Sequence, residues 1–214
     1  MKIGILGTGD VGKDLGNAFL ALGHEVKMGS REAHNEKAAA WVSSAGKNAS
    51  AGTFADAAQF GEIIVLALHW QGTENALTLA GVEKFAGKVV IDAINPLVFE
   101  QGKPPALAIG HTDSAGEQIQ RWLPSARVVK AFNMVGHSLM FKPDFPDGPP
   151  DMFIAGNDAS AKEAVTAILK DFGWPTIDMG GIEASRLLEP LCVLWVSYAF
   201  RTGTFNHAFK LLRK

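Results

Sequence analysis

The chain has one cysteine, Cys192, in 214 residues, which excludes an internal disulfide framework and any cysteine-built metal centre. It has no surplus of charge either: 20 Lys and Arg stand against 22 Asp and Glu, a net charge of −2. A nucleic-acid binder needs a clustered basic excess for its phosphate contacts, so that class of partner is not expected. No long apolar run occurs. A membrane-spanning helix takes about 20 consecutive apolar residues, whereas residues 191–200 are the longest greasy stretch and contain Ser197. Met1-Lys2-Ile3-Gly4 passes straight into a strand-like run without the features of a secretory signal. A soluble, cytoplasmic protein with no membrane partner is expected. His24, His34, His69, His111, His137 and His207 follow no metal-ligand spacing, so no metal is expected. Gly-x-Ser-x-Gly is absent, and Cys192 sits in an apolar helical run, which leaves no activated nucleophile to argue for.

What is present is globular: 47% apolar and 20% charged residues, at a length that suits one domain with at most a small appendix. Short aliphatic runs at 3–6, 25–28, 63–68, 89–92 and 128–131 alternate with helical patterns at 11–22, 32–45, 72–80 and 114–122. A further short helix is expected near 56–59. Strands apolar on both faces, alternating with helices, predict an α/β fold: a Rossmann-type, doubly wound parallel sheet. Residues 143–150 hold four of the ten prolines and mark a stiff boundary. Beyond them the pattern predicts strands at 152–155 and 176–179, a helix at 160–172 and a long helix from about Glu183. The expected division is a dinucleotide-binding domain over 1–142 and a small C-terminal α/β extension over 143–214 for substrate or dimer contacts.

Gly7-Thr8-Gly9-Asp10-Val11-Gly12 reads G-x-G-x-x-G, entered by the strand pattern Ile3-Gly4-Ile5-Leu6 and left by an amphipathic helix. In that setting Gly7 permits the tight turn, Gly9 lets the backbone approach a pyrophosphate, and Gly12 lets helix and strand pack closely. The pyrophosphate then meets unpaired N–H groups at the helix start. Enzymes for NAD carry an acid about 20 residues on, at the end of the second strand. Here that position reads Met28-Gly29-Ser30-Arg31, a hydroxyl followed by a guanidinium fork suited to a 2′-phosphate. NADP is therefore the expected cofactor, with Lys37 as a second positive charge. A plainer role for Arg31 is a solvated surface charge paired with Glu32.

Further segments carry a resemblance: Leu22-Gly23-His24-Glu25-Val26, Val65-Leu66-Ala67-Leu68-His69-Trp70, Ile91-Asp92-Ala93-Ile94-Asn95-Pro96-Leu97, Lys130-Ala131-Phe132-Asn133 and Glu183-Ala184-Ser185-Arg186-Leu187-Leu188-Glu189. With the glycine turn and Ser30-Arg31, the chain resembles the NADP-dependent reductases of the deazaflavin coenzyme F-420. It is also similar to the related oxidoreductase domains of six-transmembrane metalloreductases. The resemblance implies that Thr8, Gly9, Asp10 and Val11 line the pyrophosphate and that Ser30 and Arg31 meet the 2′-phosphate. It further implies that Leu68, His69, Asn95 and Pro96 border the nicotinamide, while Asn133 and His137 close the pocket. A plainer role for Asn95 and Asn133 is turn capping through side-chain to backbone bonds. His69 stands where relatives commonly have Pro, and is the one candidate for a catalytic group.

No acid–base set suited to an alcohol substrate is evident. Hydride transfer to a flavin-type ring asks less of the protein. The expected function is hydride transfer between NADPH and a deazaflavin or flavin acceptor, coenzyme F-420 foremost. Alternatives are an NADPH-dependent flavin or ferric reductase and a non-catalytic NADP sensor. The apolar run through Leu187, Leu191, Trp195 and Phe200 predicts a helix greasy all round, buried on every side in a homodimer.

Overall fold

The computed structural model describes residues 1–214. Strand β1 (Lys2–Leu6) leads to helix α1 (Asp10–Ala21), β2 (Glu25–Ser30), α2 (Glu36–Ala45) and β3 (Ala49–Thr53). Next come α3 (Phe54–Phe60), β4 (Ile63–Leu66), α4 (Thr73–Ala80) and β5 (Val89–Asp92). A small antiparallel hairpin, β6 (Leu97–Val98) with β7 (Ala106–Leu107), precedes α5 (Ala115–Trp122) and β8 (Arg127–Lys130). The C-terminal part supplies β9 (Met152–Gly156), α6 (Ala159–Asp171), β10 (Thr176–Asp178) and α7 (Ser185–Thr202).

The main sheet has the order β10-β9-β8-β5-β4-β1-β2-β3. From β3 to β8 every pairing is parallel, so crossover helices cover both faces. The strand order reverses between β1 and β4, which opens a crevice beyond their carboxyl ends. The α/β, Rossmann-type class expected from the pattern is the one observed. One joint differs from a purely parallel sheet: β9 runs antiparallel to β8, with Gly156 opposite Val129. β10 then pairs parallel to β9, so both aim their carboxyl ends at the opposite edge. The sheet continues across the proline-rich segment.

Alternation along the strands explains the two cores. Ile63 and Val65 face one layer while Ile64 and Leu66 face the other, as the two-residue period of a strand requires. Leu15, Phe19, Trp41, Phe172 and Leu188 fill the first layer, and Phe54, Leu77, Phe85 and Ile119 fill the second. Each such side chain contributes about 1.5–3 kcal/mol when fully buried.

Several elements depart from the sequence pattern. β3 is an extra edge strand made of small residues. α2 starts at Glu36 rather than at 32, because the Asn35 side chain accepts from Ala38 N–H at 3.0 Å and so caps the helix there. β4 stops at Leu66, two residues short of expectation. α7 is not enclosed by its own chain: Leu188, Cys192, Trp195 and Ala199 face inward, while Leu187 and Leu194 are 61% and 57% exposed. No helix is long and apolar enough to cross a membrane.

Candidate functional site

The glycine turn joins β1 to α1 at the carboxyl edge of the sheet. Gly7 has φ +127°, a conformation suited to glycine, and a Cβ there would lie 2.0 Å from the Ala67 carbonyl oxygen. Its N–H donates to Gly29 O at 3.1 Å, tying the turn to β2. Gly12 packs against the turn itself, with 2.4 Å between a built Cβ and Gly7 O. Gly9 is the contrast. It is exposed, and a Cβ there meets nothing within 4 Å. As N-cap of α1 it has no side chain to satisfy the helix's first N–H groups, so these remain free to receive an anion. The Asp10 carboxylate beside them is exposed and lies 3.6 Å from Lys13. Thr8 and Val11 flank the turn and are half-buried.

At the end of β2, Ser30 is buried and its hydroxyl donates to Glu32 O. That bond shapes the turn from which Arg31 projects. Arg31 is exposed and takes part in none of the chain's ion pairs, with Glu32 or otherwise. Lys37 is exposed in the first turn of α2. An open glycine cradle, an uncapped helix start and an unpaired guanidinium with no acid at the strand end form a donor set that fits NADP.

Leu68, His69, Asn95, Pro96 and Asn133 lie just past the carboxyl ends of β4, β5 and β8. His69 is exposed and precedes a 3-10 turn, Trp70–Gly72; its carbonyl accepts from Gly72 N–H and the Thr73 hydroxyl. Leu68 and Trp70 pack against the second core layer, and Trp70 stacks on Trp122 at 5.4 Å. Pro96 is buried, and its carbonyl accepts from Ala108 N–H at 2.7 Å. Asn95 Nδ2 donates to Asn133 O at 2.7 Å, and Asn133 Nδ2 donates to Asn95 Oδ1 at 3.0 Å and to Leu188 O at 2.9 Å. The two asparagines thus clasp each other. Immediately before Asn133, Phe132 takes φ +62°, an unusual state for a bulky residue; its N–H points to Met152 Sδ and its ring packs near Phe172. His137 begins a 3-10 turn whose Nδ1 lies 2.6 Å from Asp14 Oδ2, drawing that loop onto α1.

Beneath the asparagines lies a charge cluster that apolar periodicity does not flag. Lys130, Asp92 and Glu189 are all fully buried. Lys130 Nζ lies 2.7 Å from Asp92, 2.9 Å from Glu189 and 2.7 Å from Ile94 O. Burial pulls the Lys130 pKa down, but the two carboxylates outweigh it and hold it above the ordinary lysine value. Glu189 also accepts from the N–H groups of Ala115 and Gly116 at the start of α5, where the helix dipole favours an anion. The available signal is that Asp92 and Lys130 end apolar strands as charges of opposite sign. Cys192 is buried nearby, and burial chiefly pushes its thiol up to about 12, far from a reactive thiolate.

The family model described as "NADP oxidoreductase coenzyme F420-dependent" matches residues 2–96. An F420-dependent NADP reductase of Methanocaldococcus jannaschii is 32% identical, over 92% of this chain and 91% of its own length. The metalloreductase STEAP3 of Rattus norvegicus is 29% identical over 89% of this chain, which spans only 36% of that larger protein. In fold, the crystal structure of a candidate F420-dependent NADP reductase from Arthrobacter sp. FB24 superposes with a TM-score of 0.93, at 40% identity, with both chains fully covered. With an uncapped glycine cradle at one end of the cleft and a strand-end cluster at the other, matched along nearly its whole length, the chain belongs to the F420-dependent NADP reductase family.

Proposed function

We propose that this NADP-dependent oxidoreductase transfers hydride between NADPH and a deazaflavin acceptor of the F420 type. The observation that carries the reading is the correspondence with the Methanocaldococcus jannaschii F420-dependent NADP reductase over 91% of that enzyme, joined to a cleft that fits NADP. Gly9 and the free N–H groups of α1 would receive the pyrophosphate, and Arg31 the 2′-phosphate. Ser30 would act there by shaping the turn that presents Arg31. Leu68, His69, Asn95 and Pro96 would flank the nicotinamide, with Asn133 and His137 closing that end. Bound NADPH supplies the hydride; the chain's task is to orient the ring and keep water from it. Asn95 and Asn133 spend their side chains on each other, so His69 alone offers a free titratable group at that end. A flavin-type ring, which takes the charge into its own conjugated system, suits such a site.

The metalloreductase relative supports a variant in which the acceptor is a flavin that passes electrons to ferric ion. A second copy of the chain is proposed to cover the apolar face of α7, where Leu187, Leu194 and Phe200 are exposed and Phe200 lies beside exposed Phe99. The deciding experiment offers NADPH and purified protein F420, FMN, FAD and a ferric chelate in turn, following NADPH absorbance. Fast oxidation with F420 alone is expected. Oxidation only with flavin or ferric chelate replaces this acceptor, and oxidation with none defeats the reading.

A further inference from the structure

We propose that Lys130, Asp92 and Glu189 form a positioning device that sets the Asn95–Asn133 clasp, and with it the nicotinamide end of the cleft. The inference rests on the NADP reading of that cleft and adds residues that touch no cofactor atom. A buried ion cluster is weak evidence for stability, since apolar side chains of similar volume often serve as well. Its distinctive property is fixed geometry, and the bonds here close into a ring.

Lys130 Nζ donates to Ile94 O and forms ion pairs with Asp92 and Glu189. Asp92 Oδ1 accepts from Ile94 N–H at 2.9 Å, so the N–H and the carbonyl of Ile94 are both held from below. The next residue is Asn95, whose amide is joined to Asn133 in both directions. Asn133 reaches on to Leu188 O in α7, and the residue after Leu188 is Glu189, which returns to Lys130. Every link is a charged or amide group with a defined direction, so moving one member moves the asparagines. Two further features fit a held geometry. Phe132 stays at φ +62° immediately before Asn133, a strained state that persists only where surroundings impose it. Asn133 Oδ1 is buried without a partner, an unmade bond that a freely adjusting side chain would relieve.

The ring also explains why α7, distant in sequence from the glycine turn, bears on the cleft. Glu189 joins α7 to the start of α5 and to Lys130 at the end of β8, and through Lys130 to Asp92 at the end of β5. The clasp therefore depends on α7, whereas the Gly7–Gly12 turn and Arg31 have no bond to the cluster.

The test compares NADP+ with 2′,5′-ADP, which lacks the nicotinamide half, on wild type and Glu189→Gln. Gln keeps the length and can still accept through its one amide oxygen from an N–H of α5, but it cannot balance Lys130. The expected result is 2′,5′-ADP affinity unchanged within about twofold and NADP+ affinity weaker by about tenfold, one hydrogen bond's worth. Equal losses for both ligands, or no loss for either, overturn the proposal. If Glu189→Gln does not fold, the uncharged combination D92N/K130M/E189Q leaves no lone buried ion and is read the same way. Amide exchange at Ile94 and the side-chain NMR signals of Asn95 and Asn133 need no cofactor. Faster exchange and shifted signals in the variant are expected, and unchanged ones overturn the proposal. Wild type that binds neither ligand defeats the cofactor reading instead, while the exchange and NMR readouts still decide the role of the cluster.

Discussion

Replacing Gly9 and Gly12 separately by Ala should split one motif into a binding role and a folding role. At Gly12 the added methyl would sit 2.4 Å from Gly7 O, where ordinary contact needs about 3.5 Å. Helix α1 must then back away from the turn by about 1 Å, or the core must strain. Overpacking of this kind costs about 1–3 kcal/mol. For a chain of this size each kcal/mol lowers Tm by about 2–4 °C, so G12A should melt about 2–12 °C early. At Gly9 the methyl meets nothing within 4 Å, and φ −78° with ψ −178° suits Ala. The poorer N-cap costs under about 1 kcal/mol, and the stiffer unfolded chain returns about 0.4–1 kcal/mol. The Tm of G9A should therefore stay within about 4 °C of wild type. Its methyl nevertheless stands where the pyrophosphate is expected to approach, so NADPH affinity should fall at least about tenfold, the loss of one net hydrogen bond at the helix start. Thermal melts and NADPH fluorescence titrations read the two effects. A G9A protein that binds NADPH like wild type, or melts as early as G12A, refutes the reasoning.

Arg31→Ala should weaken NADPH by about 1.5–3 kcal/mol, one charge-assisted contact, and leave NADH unchanged; titration of wild type with equal affinity for both cofactors would sink this. Arg186 binds Glu117 through two N–H groups, and this pair chiefly holds the Glu117 carboxyl below the ordinary glutamate value. A lowered carboxyl pKa stabilises the fold above the unfolded value, about pH 4.3, and that stability is lost as pH falls through the lowered one. Melts from pH 7 to 3 should show a flatter acid limb for Glu117→Gln than for wild type, and parallel curves would refute the assignment. Light scattering at micromolar concentration should give twice the chain mass of 22.8 kDa. A monomer mass would leave α7 without its proposed partner.

The dinucleotide half is legible because its signals are local. A β1-type apolar run, three glycines at fixed offsets and an amphipathic helix fall within a few turns of one another. β3 escapes the pattern because Ala49-Ser50-Ala51-Gly52-Thr53 has almost no strand propensity; pairing with β2 makes it a strand. The antiparallel joint at β9 is invisible because periodicity carries no direction. The α7 run reads as greasy all round, yet only one face finds cover within the chain, and a sequence does not say how much core is available to receive a helix. At the site, Asn95 and Asn133 stand out through family resemblance, while their mutual clasp depends on contacts 38 residues apart. Lys130 looks like a strand-end surface charge until Asp92 and Glu189 are seen around it.

The reach of α7 into the cleft has a consequence for synthesis. The ribosome releases the chain from the amino end, and domains fold as they emerge. The glycine turn and its neighbour strand, both within the first 30 residues, can form their mutual bonds early. The clasp must wait for Leu188, 55 residues after Asn133, and for Glu189, 73 residues after Gly116. A nascent chain halted before α7 would therefore hold the glycine turn and its bond to β2 while the asparagine clasp still lacked the Leu188 carbonyl and the Glu189 carboxylate that complete it.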